Sequence, residues 1–358
     1  LYENGSQSGE NGLMNLPKKR YTIIDVAQEA GVSKATVARV MDSSSDVSVK
    51  EDTRKRVLKA AKKVGYVPNR IAASMRSQRT YSVAISIPDI SNPFYPAMVR
   101  GAQDVLSAQG YNLLMFNNDW DADTETSHID AMRKHMVDGI LLSPAQSDLD
   151  LVALSPTPVV ILGRGLDYPE FPSVGNDSVG GTTLALSRFW ELGHRRIGLI
   201  TGGSHRATAS SRQEAYYQFH EEKSIEIDEG LIAWTEFSVR TADSIGFARE
   251  AATALLMKPD RPSAIFASND VLALAVLQVA RANGIRVPEE LSVIGMDDIF
   301  SASVSAPALS TVVKQRYENG RLAAEKLMTL LQGKSLEEQK NTLLPCRLIE
   351  RETTCPCR

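Results

Sequence analysis

The chain has 358 residues, 43% hydrophobic and 23% charged, with a net charge of −3. That size allows two to three domains around buried cores, and the composition excludes collagen-like, coiled-coil and wholly disordered chains. No run nears the ~18 apolar residues of a membrane span. No secretory leader opens the chain, and three cysteines make no disulfide framework, so a cytoplasmic setting without membrane contact is expected.

The small total hides an asymmetry. Residues 18–79 carry a net charge of +9, whereas residues 80–358 carry −10. A basic head on an acidic body predicts that only the head meets a polyanion.

In chain order, residues 1–17 are polar, without hydrophobic periodicity, and are expected to be a disordered tail. From Thr22 the pattern is helical. Thr22 and Asp25 form a capping box that opens a first helix, which Gly31 stops. Ser33 caps a second helix, Lys34 to Met41. Its Val37, Val40 and Met41 share a face with Thr36, while Lys34, Ala35 and Arg39 point away. A third helix runs from about Glu51 to Val64 with Val57, Leu58, Ala61 and Val64 inward.

Two short helices about a tight turn predict a helix-turn-helix, whose second helix enters the major groove. Lys34 suits guanine or phosphate, Ala35 a thymine methyl, and Arg39 a forked contact to guanine. The bland alternative is a three-helix bundle that binds protein. The local charge favours DNA.

After Tyr81 the rhythm becomes that of alternating βα units. Apolar runs at Val83–Ile87, Leu113–Phe116, Ile140–Leu142, Val159–Leu162, Ile197–Ile200, Ala264–Ala267 and Leu291–Gly295 predict strands. Amphipathic stretches at 97–109, 124–137, 179–192, 242–257 and 271–283 predict helices. Such alternation implies parallel sheets covered on both faces. The length suits two lobes with a cleft between them. Ligands of such bodies bind beyond the strand C-termini, which points to Phe94, Tyr95, Arg164, Arg206, Thr208, Arg212, Asn269, Asp270 and Asp297. Each has a structural alternative: Asp270 suits a helix cap, and Arg212 a surface ion pair.

The segments YTIIDVAQEAGVSKATVARVMD and GYVPNRIAASMRS resemble the DNA-binding head and hinge of the LacI/GalR family of bacterial transcriptional regulators. The likeness continues through PDISNPFYPAMVRGAQ, VDGILLSPA, ELGHRRIGLITG, IFASNDVLALAVLQ and VIGMDD, over roughly residues 20–350. It implies an α/β architecture: a three-helix head and hinge helix joined to a two-lobed, periplasmic-binding-protein-like body of doubly wound parallel sheets. The expected divisions are 18–66 for the head, 67–80 for the hinge, 81–345 for the effector-binding and dimerisation body, and 346–358 for a polar tail.

By that resemblance Thr22, Ser33, Lys34, Ala35, Thr36 and Arg39 meet DNA. The hinge contributes Asn69, Arg70, Ala72 and Met75, with Met75 placed to wedge a minor-groove base step. Phe94, Tyr95, Arg206, Thr208, Arg212, Phe237, Asp297 and Gln315 line the effector pocket. The Arg206, Thr208 and Arg212 spacing is similar to that of purine-responsive members and shared in part with ribose-type ones. One departure is the segment Val47–Arg54, two residues longer than the family pattern.

Catalysis is not expected. There is no phosphate-binding, dinucleotide-binding or nucleophile-elbow glycine motif. The histidines at 128, 135, 194, 205 and 220 lack metal-ligand spacing, and Cys346, Cys355 and Cys357 lack a fourth partner. No cofactor or metal is expected. The expectation is a homodimeric regulator, a repressor by preference, on a pseudo-palindromic operator and controlled by a sugar, polyol or sugar acid. Alternatives are a purine effector, a pocket without function, or a pure small-molecule receptor. Met98, Val99 and Ala102 are expected among the dimer contacts.

Overall fold

The computed structural model describes residues 21–41, 49–67, 79–146, 148–202, 207–235, 245–336 and 340–357, with only the backbone of 207–210. The chain divides into two compact units, residues 1–78 and 79–358.

In the first unit, α1 (Ile23–Ala30), α2 (Lys34–Met41) and α3 (Glu51–Val64) enclose a small core. Thr22 accepts from the Ile24 amide while its own amide donates to Asp25 at 2.7 Å, closing the capping box. Gly31 ends α1 at φ 63°, a conformation that glycine adopts without strain. Val26, Val37 and Val57 are fully buried, one from each helix. Leu58, expected inward, is 47% exposed, because Ala60 takes the inner position beside Ala61. A Lys63–Glu29 ion pair at 2.6 Å links α3 to α1.

The second unit contains two six-stranded sheets. The first holds β1 (Ser82–Ile87), β2 (Asn112–Asn117), β3 (Gly139–Leu142), β4 (Val159–Leu162) and β5 (Ser173–Asn176). Its helices are α4 (Phe94–Ala108) and α5 (Ala122–Lys134). The second is built on β6 (Ile197–Gly202), β7 (Ile232–Thr235), β8 (Ala264–Ala267), β9 (Ser292–Asp297) and β10 (Ser310–Val313). With it run α6 (Ser178–Glu191), α7 (Ala207–Glu222), α8 (Gly246–Leu256), α9 (Asp270–Ala282) and the short α10 (Phe300–Val304). Then α11 (Arg316–Leu331) and β11 (Asn341–Leu344) return to the first lobe, and β12 (Arg347–Ile349) closes the second.

The strand orders are β11-β5-β4-β3-β1-β2 and β12-β10-β9-β8-β6-β7. All pairings are parallel except β10 with β12. The chain therefore crosses between lobes three times, near 177, 314 and 345. Apolar clusters cover both faces of each sheet. The fully buried β3, β4 and β8 explain why those runs lack a polar alternation.

Helices α4 and α11 pack backbone to backbone. A methyl group on Gly101 would run into the Tyr317 carbonyl, and one on Gly320 into the Met98 carbonyl. Met98 and Ala102 are consequently 2% and 0% exposed inside this lobe. They belong to the core of the first lobe and are not available as dimer contacts.

The segment from 346 onward is not a separate tail. β12 joins the second sheet, and the Val293 amide donates to the Thr353 carbonyl at 2.7 Å. The buried His194 ring holds the same segment through Ser292 and the Cys355 carbonyl, at 3.0 and 3.1 Å. Among the described residues, no helix is long and apolar enough to cross a membrane.

Candidate functional site

In the first unit, the helix that the sequence assigns to DNA presents Lys34, Ala35 and Arg39 to solvent while Val37 and Val40 are buried. Ser33 accepts from the Thr36 amide at 3.1 Å, and the two hydroxyls lie 2.9 Å apart. The cap thus fixes the start of α2 and takes up the Thr36 hydroxyl. Thr22 caps α1 and is exposed. Asn69, Arg70, Ala72 and Met75 lie outside the described residues.

In the second unit, a cavity of about 100 Å³ opens between the two sheets at the C-terminal ends of their strands. Helices α4, α6 and α9 begin at its wall, through Phe94, Ser178 and the Asn269 cap. Their N-terminal amides give it a positive bias. Of the expected residues, the cavity gathers Phe94, Tyr95, Arg164, Arg212, Asn269 and Asp297. Arg206 and Phe237 lie outside the described residues, as does the side chain of Thr208.

Two expected residues do other work. Asp270 is absent from the cavity wall. Its carboxylate accepts from the Ile299 amide at 2.9 Å and from the Thr311 hydroxyl, so it ties α9 to the turn after β9 and to β10. Nor does it cap the helix: that is the role of Asn269, whose Oδ1 accepts from Leu272 at 2.9 Å. Burial, then the nearby Asp297 charge, pushes the Asp270 carboxyl up to about 7.

Gln315 likewise lies outside the wall. Its amide donates to Asn176 Oδ1 at 2.8 Å, and its side chain donates to the Pro345 carbonyl at 3.0 Å. It joins the three crossovers where the lobes meet.

The polar end of the cavity centres on Asp297, 4% exposed and held at φ 120° beside Asp298 at φ 55°. Two successive non-glycine residues in left-handed backbone are strained, a condition that surrounding contacts must hold in place. Those contacts are on Asp298: Arg351 donates to its carboxylate at 2.6 Å, and Arg316 to its carbonyl at 2.7 Å.

Lys314 lies 3.1 Å from Asp297 Oδ1 and 5.1 Å from the Phe94 ring centroid. Burial, and next the Arg212 charge, lowers the Lys314 pKa, while Asp297 raises it. Burial lowers that of Arg212 too, again opposed first by Asp297. Tyr95 stays neutral, because burial and then the Asp297 charge drive its hydroxyl upward.

Among the wall residues that escape the sequence reading are Trp120, Asn176, Lys314 and Asn319. Trp120, at φ 62°, reaches across from the first lobe to pack on the core of the second. Lys314 and Asn176 sit on crossovers that only the assembled topology brings to the cleft. Glu125 supports this wall from behind: fully buried, it accepts from Asn118 and from the Ala145 amide, each at 3.0 Å. It so fixes the loops that carry Trp120 and Ser143. Among the described residues, no three His, Cys, Asp or Glu side chains are grouped to hold a metal.

Comparison with known proteins bears on both units. The model of bacterial regulatory proteins of the lacI family matches residues 22–69, and that of the periplasmic binding protein-like domain matches residues 186–354. The HTH-type transcriptional regulator DegA of Bacillus subtilis (strain 168) is 35% identical over 94% of this chain and 98% of its own length. The chain belongs to the lacI family of bacterial regulatory proteins. Within that family, the ribose operon repressor of the same organism is 34% identical over 93% of this chain and 98% of that protein. A solved transcriptional regulator CelR–cellobiose complex is 32% identical, with a TM-score of 0.68, over 93% of this chain and 100% of that one. The lac repressor dimer bound to operator and the anti-inducer ONPF shares the fold, with a TM-score of 0.83 at 23% identity over 94% and 100% of the two chains. As a family member the chain is a DNA-binding transcriptional regulator with an effector-binding domain.

Proposed function

We propose that the chain is a repressor whose grip on DNA is set by a small polar metabolite held between the lobes of its body. Two chains would place their α2 helices in successive major grooves of a pseudo-palindromic site, with Lys34, Ala35 and Arg39 on base edges. Thr22, Ser33 and Thr36 would lie along the backbone, and Asn69, Arg70, Ala72 and Met75 would enter the minor groove between the heads.

The observation that carries this reading is the cavity itself. It joins strand ends of both lobes, so a molecule inside it touches both and stabilises one arrangement of the crossovers at Asn176, Gln315 and Pro345. At 100 Å³ it has room for roughly seven to ten water positions. That suits a monosaccharide, polyol or sugar acid. By the family resemblance, Arg206, Thr208 and Phe237 would join its wall. The aromatic faces of Phe94 and Trp120 also favour a second reading, a purine.

The test is selection of bound duplexes from a random library with the full chain. Two inverted half-sites and a stoichiometry of two chains per duplex are expected. Selection of a single unpaired half-site, or of no sequence at all, would defeat the reading.

A further inference from the structure

We infer that Arg316 is a positioning residue for the cavity: a latch, rooted in the first lobe, that holds the strained turn bearing Asp297 across the cleft. The contacts stand by themselves, and their role in regulation rests on the reading of the cavity as an effector site. Arg316 opens α11, which packs backbone to backbone on α4 in the first lobe. Its Nη1 donates at 3.1 Å to the carbonyl of Pro93, the residue that precedes α4. Its Nη2 donates at 2.7 Å to the carbonyl of Asp298, just past β9 in the second lobe. One half-buried guanidinium thus joins both lobes.

Local structure does not call for an arginine there. A helix start carries a partial positive charge and favours acids, yet Arg316 is the first residue of α11. Its charge is used on two carbonyls, where a guanidinium bonds more strongly than a neutral donor. Asp297 and Asp298, at φ 120° and 55°, need outside contacts to keep that backbone. Arg351 supplies one from within the second lobe, through the Asp298 carboxylate at 2.6 Å and the Leu309 carbonyl at 2.7 Å. Arg316 supplies another from across the cleft.

The neighbours of each contact line the cavity. Asn92 and Phe94 flank Pro93, Asp297 precedes Asp298, and Lys314 lies two residues before Arg316. Gln315, by contrast, bonds crossover to crossover, within the hinge about which the lobes would turn. A turn about that hinge would spare the Pro93 contact, which lies within one lobe, and would part Arg316 from Asp298. The side chain therefore favours the arrangement in which both walls meet one bound molecule, and its loss shifts the balance between arrangements.

The test is amide hydrogen exchange of the full chain, comparing the parent with Arg316→Met and Arg351→Met. Arg316→Met should exchange at least about threefold faster in residues 94–100 and in 296–302, with 264–267 unchanged. Arg351→Met should quicken 296–302 alone, because its side chain bonds Asp298 and Leu309 within the second lobe. If Arg316→Met leaves either segment unchanged, or quickens the whole body evenly as a mere loss of stability does, the latch is overturned. The Kd of Arg316→Met for the selected duplex, with no metabolite added, separates the latch from the regulatory reading. A change of at least about threefold is expected. Faster exchange in both segments with an unaltered Kd would keep the latch and defeat the reading that lobe arrangement sets the grip on DNA.

Discussion

Replacing Asp270 by asparagine should change how stability depends on pH. The ordinary aspartate value is 3.8, and burial beside Asp297 raises it to about 7. Between those values the folded chain keeps a proton that the unfolded chain has released. This contribution to stability is therefore fully present below pH 3.8 and is lost as pH rises to about 7. A rise of that size is worth on the order of 4 kcal/mol. The side-chain amide of Asp270→Asn cannot titrate. Its Oδ1 can still accept from Ile299 and its Nδ2 can donate to Thr311, mimicking the protonated acid. The assay is urea unfolding of parent and variant from about pH 4 to about pH 8, a range that spans the transition. The stability difference should drift toward the asparagine variant by up to about 4 kcal/mol, saturating near the upper end of that range. A difference independent of pH, or one drifting toward the parent, would mean that Asp270 is not held protonated by its burial.

Three further outcomes follow from particular contacts. Gly320→Ala should cost at least about 3 kcal/mol in chemical unfolding, because its new methyl meets the Met98 carbonyl, which no rotamer can move. A cost below about 1 kcal/mol would mean that α4 and α11 separate freely. Arg39→Ala should weaken binding to a selected duplex by about 1–3 kcal/mol more than binding to random DNA, measured by fluorescence anisotropy; equal losses would place Arg39 on a phosphate. Glu125→Gln should loosen the Trp120 and Ser143 loops, and tryptophan fluorescence should show a more exposed Trp120 with overall helix content unchanged. An unchanged emission maximum would show that the Asn118 and Ala145 contacts do not hold that wall.

Much of the fold is legible in the sequence, for definite physical reasons. The continuous apolar runs of β1, β3, β4, β6, β8 and β9 carry their own signal, because strands buried on both faces have no polar side. The strand at Ser310–Val313 gives no such signal. Its Ser310 and Thr311 are completely buried, and become tolerable only when the Arg351 amide donates to the Ser310 hydroxyl and Asp270 accepts from that of Thr311. The same holds for Arg347–Ile349, which reads as part of a tail since its partner strand lies 36 residues upstream.

In the cavity, residues that follow a strand are found by position alone. Lys314 and Asn176 are not, because they stand at the ends of β10 (Ser310–Val313) and β5 (Ser173–Asn176), strands whose polar residues give no apolar run to read. Trp120 does leave one: a large aromatic in the polar turn Asn117-Asn118-Asp119-Trp120-Asp121 has no local reason to be there. Asp270 and Gln315 are misplaced for the opposite reason. Each sits beside a cavity residue in sequence, but its side chain turns inward to bond the backbone that holds the wall.

Whether a ligand in the cavity changes DNA affinity is decided by one coupled measurement. The full chain is titrated onto its selected duplex with and without the metabolite that raises its melting temperature, and the titration is repeated with Asp297→Ala. The account predicts a change of at least about fivefold in Kd, the lower end of ordinary allosteric coupling. It also predicts that Asp297→Ala loses that change and keeps nearly the parent's affinity for DNA without ligand. A Kd that ignores a saturating ligand would contradict the account, as would an Asp297→Ala variant that still responds in full.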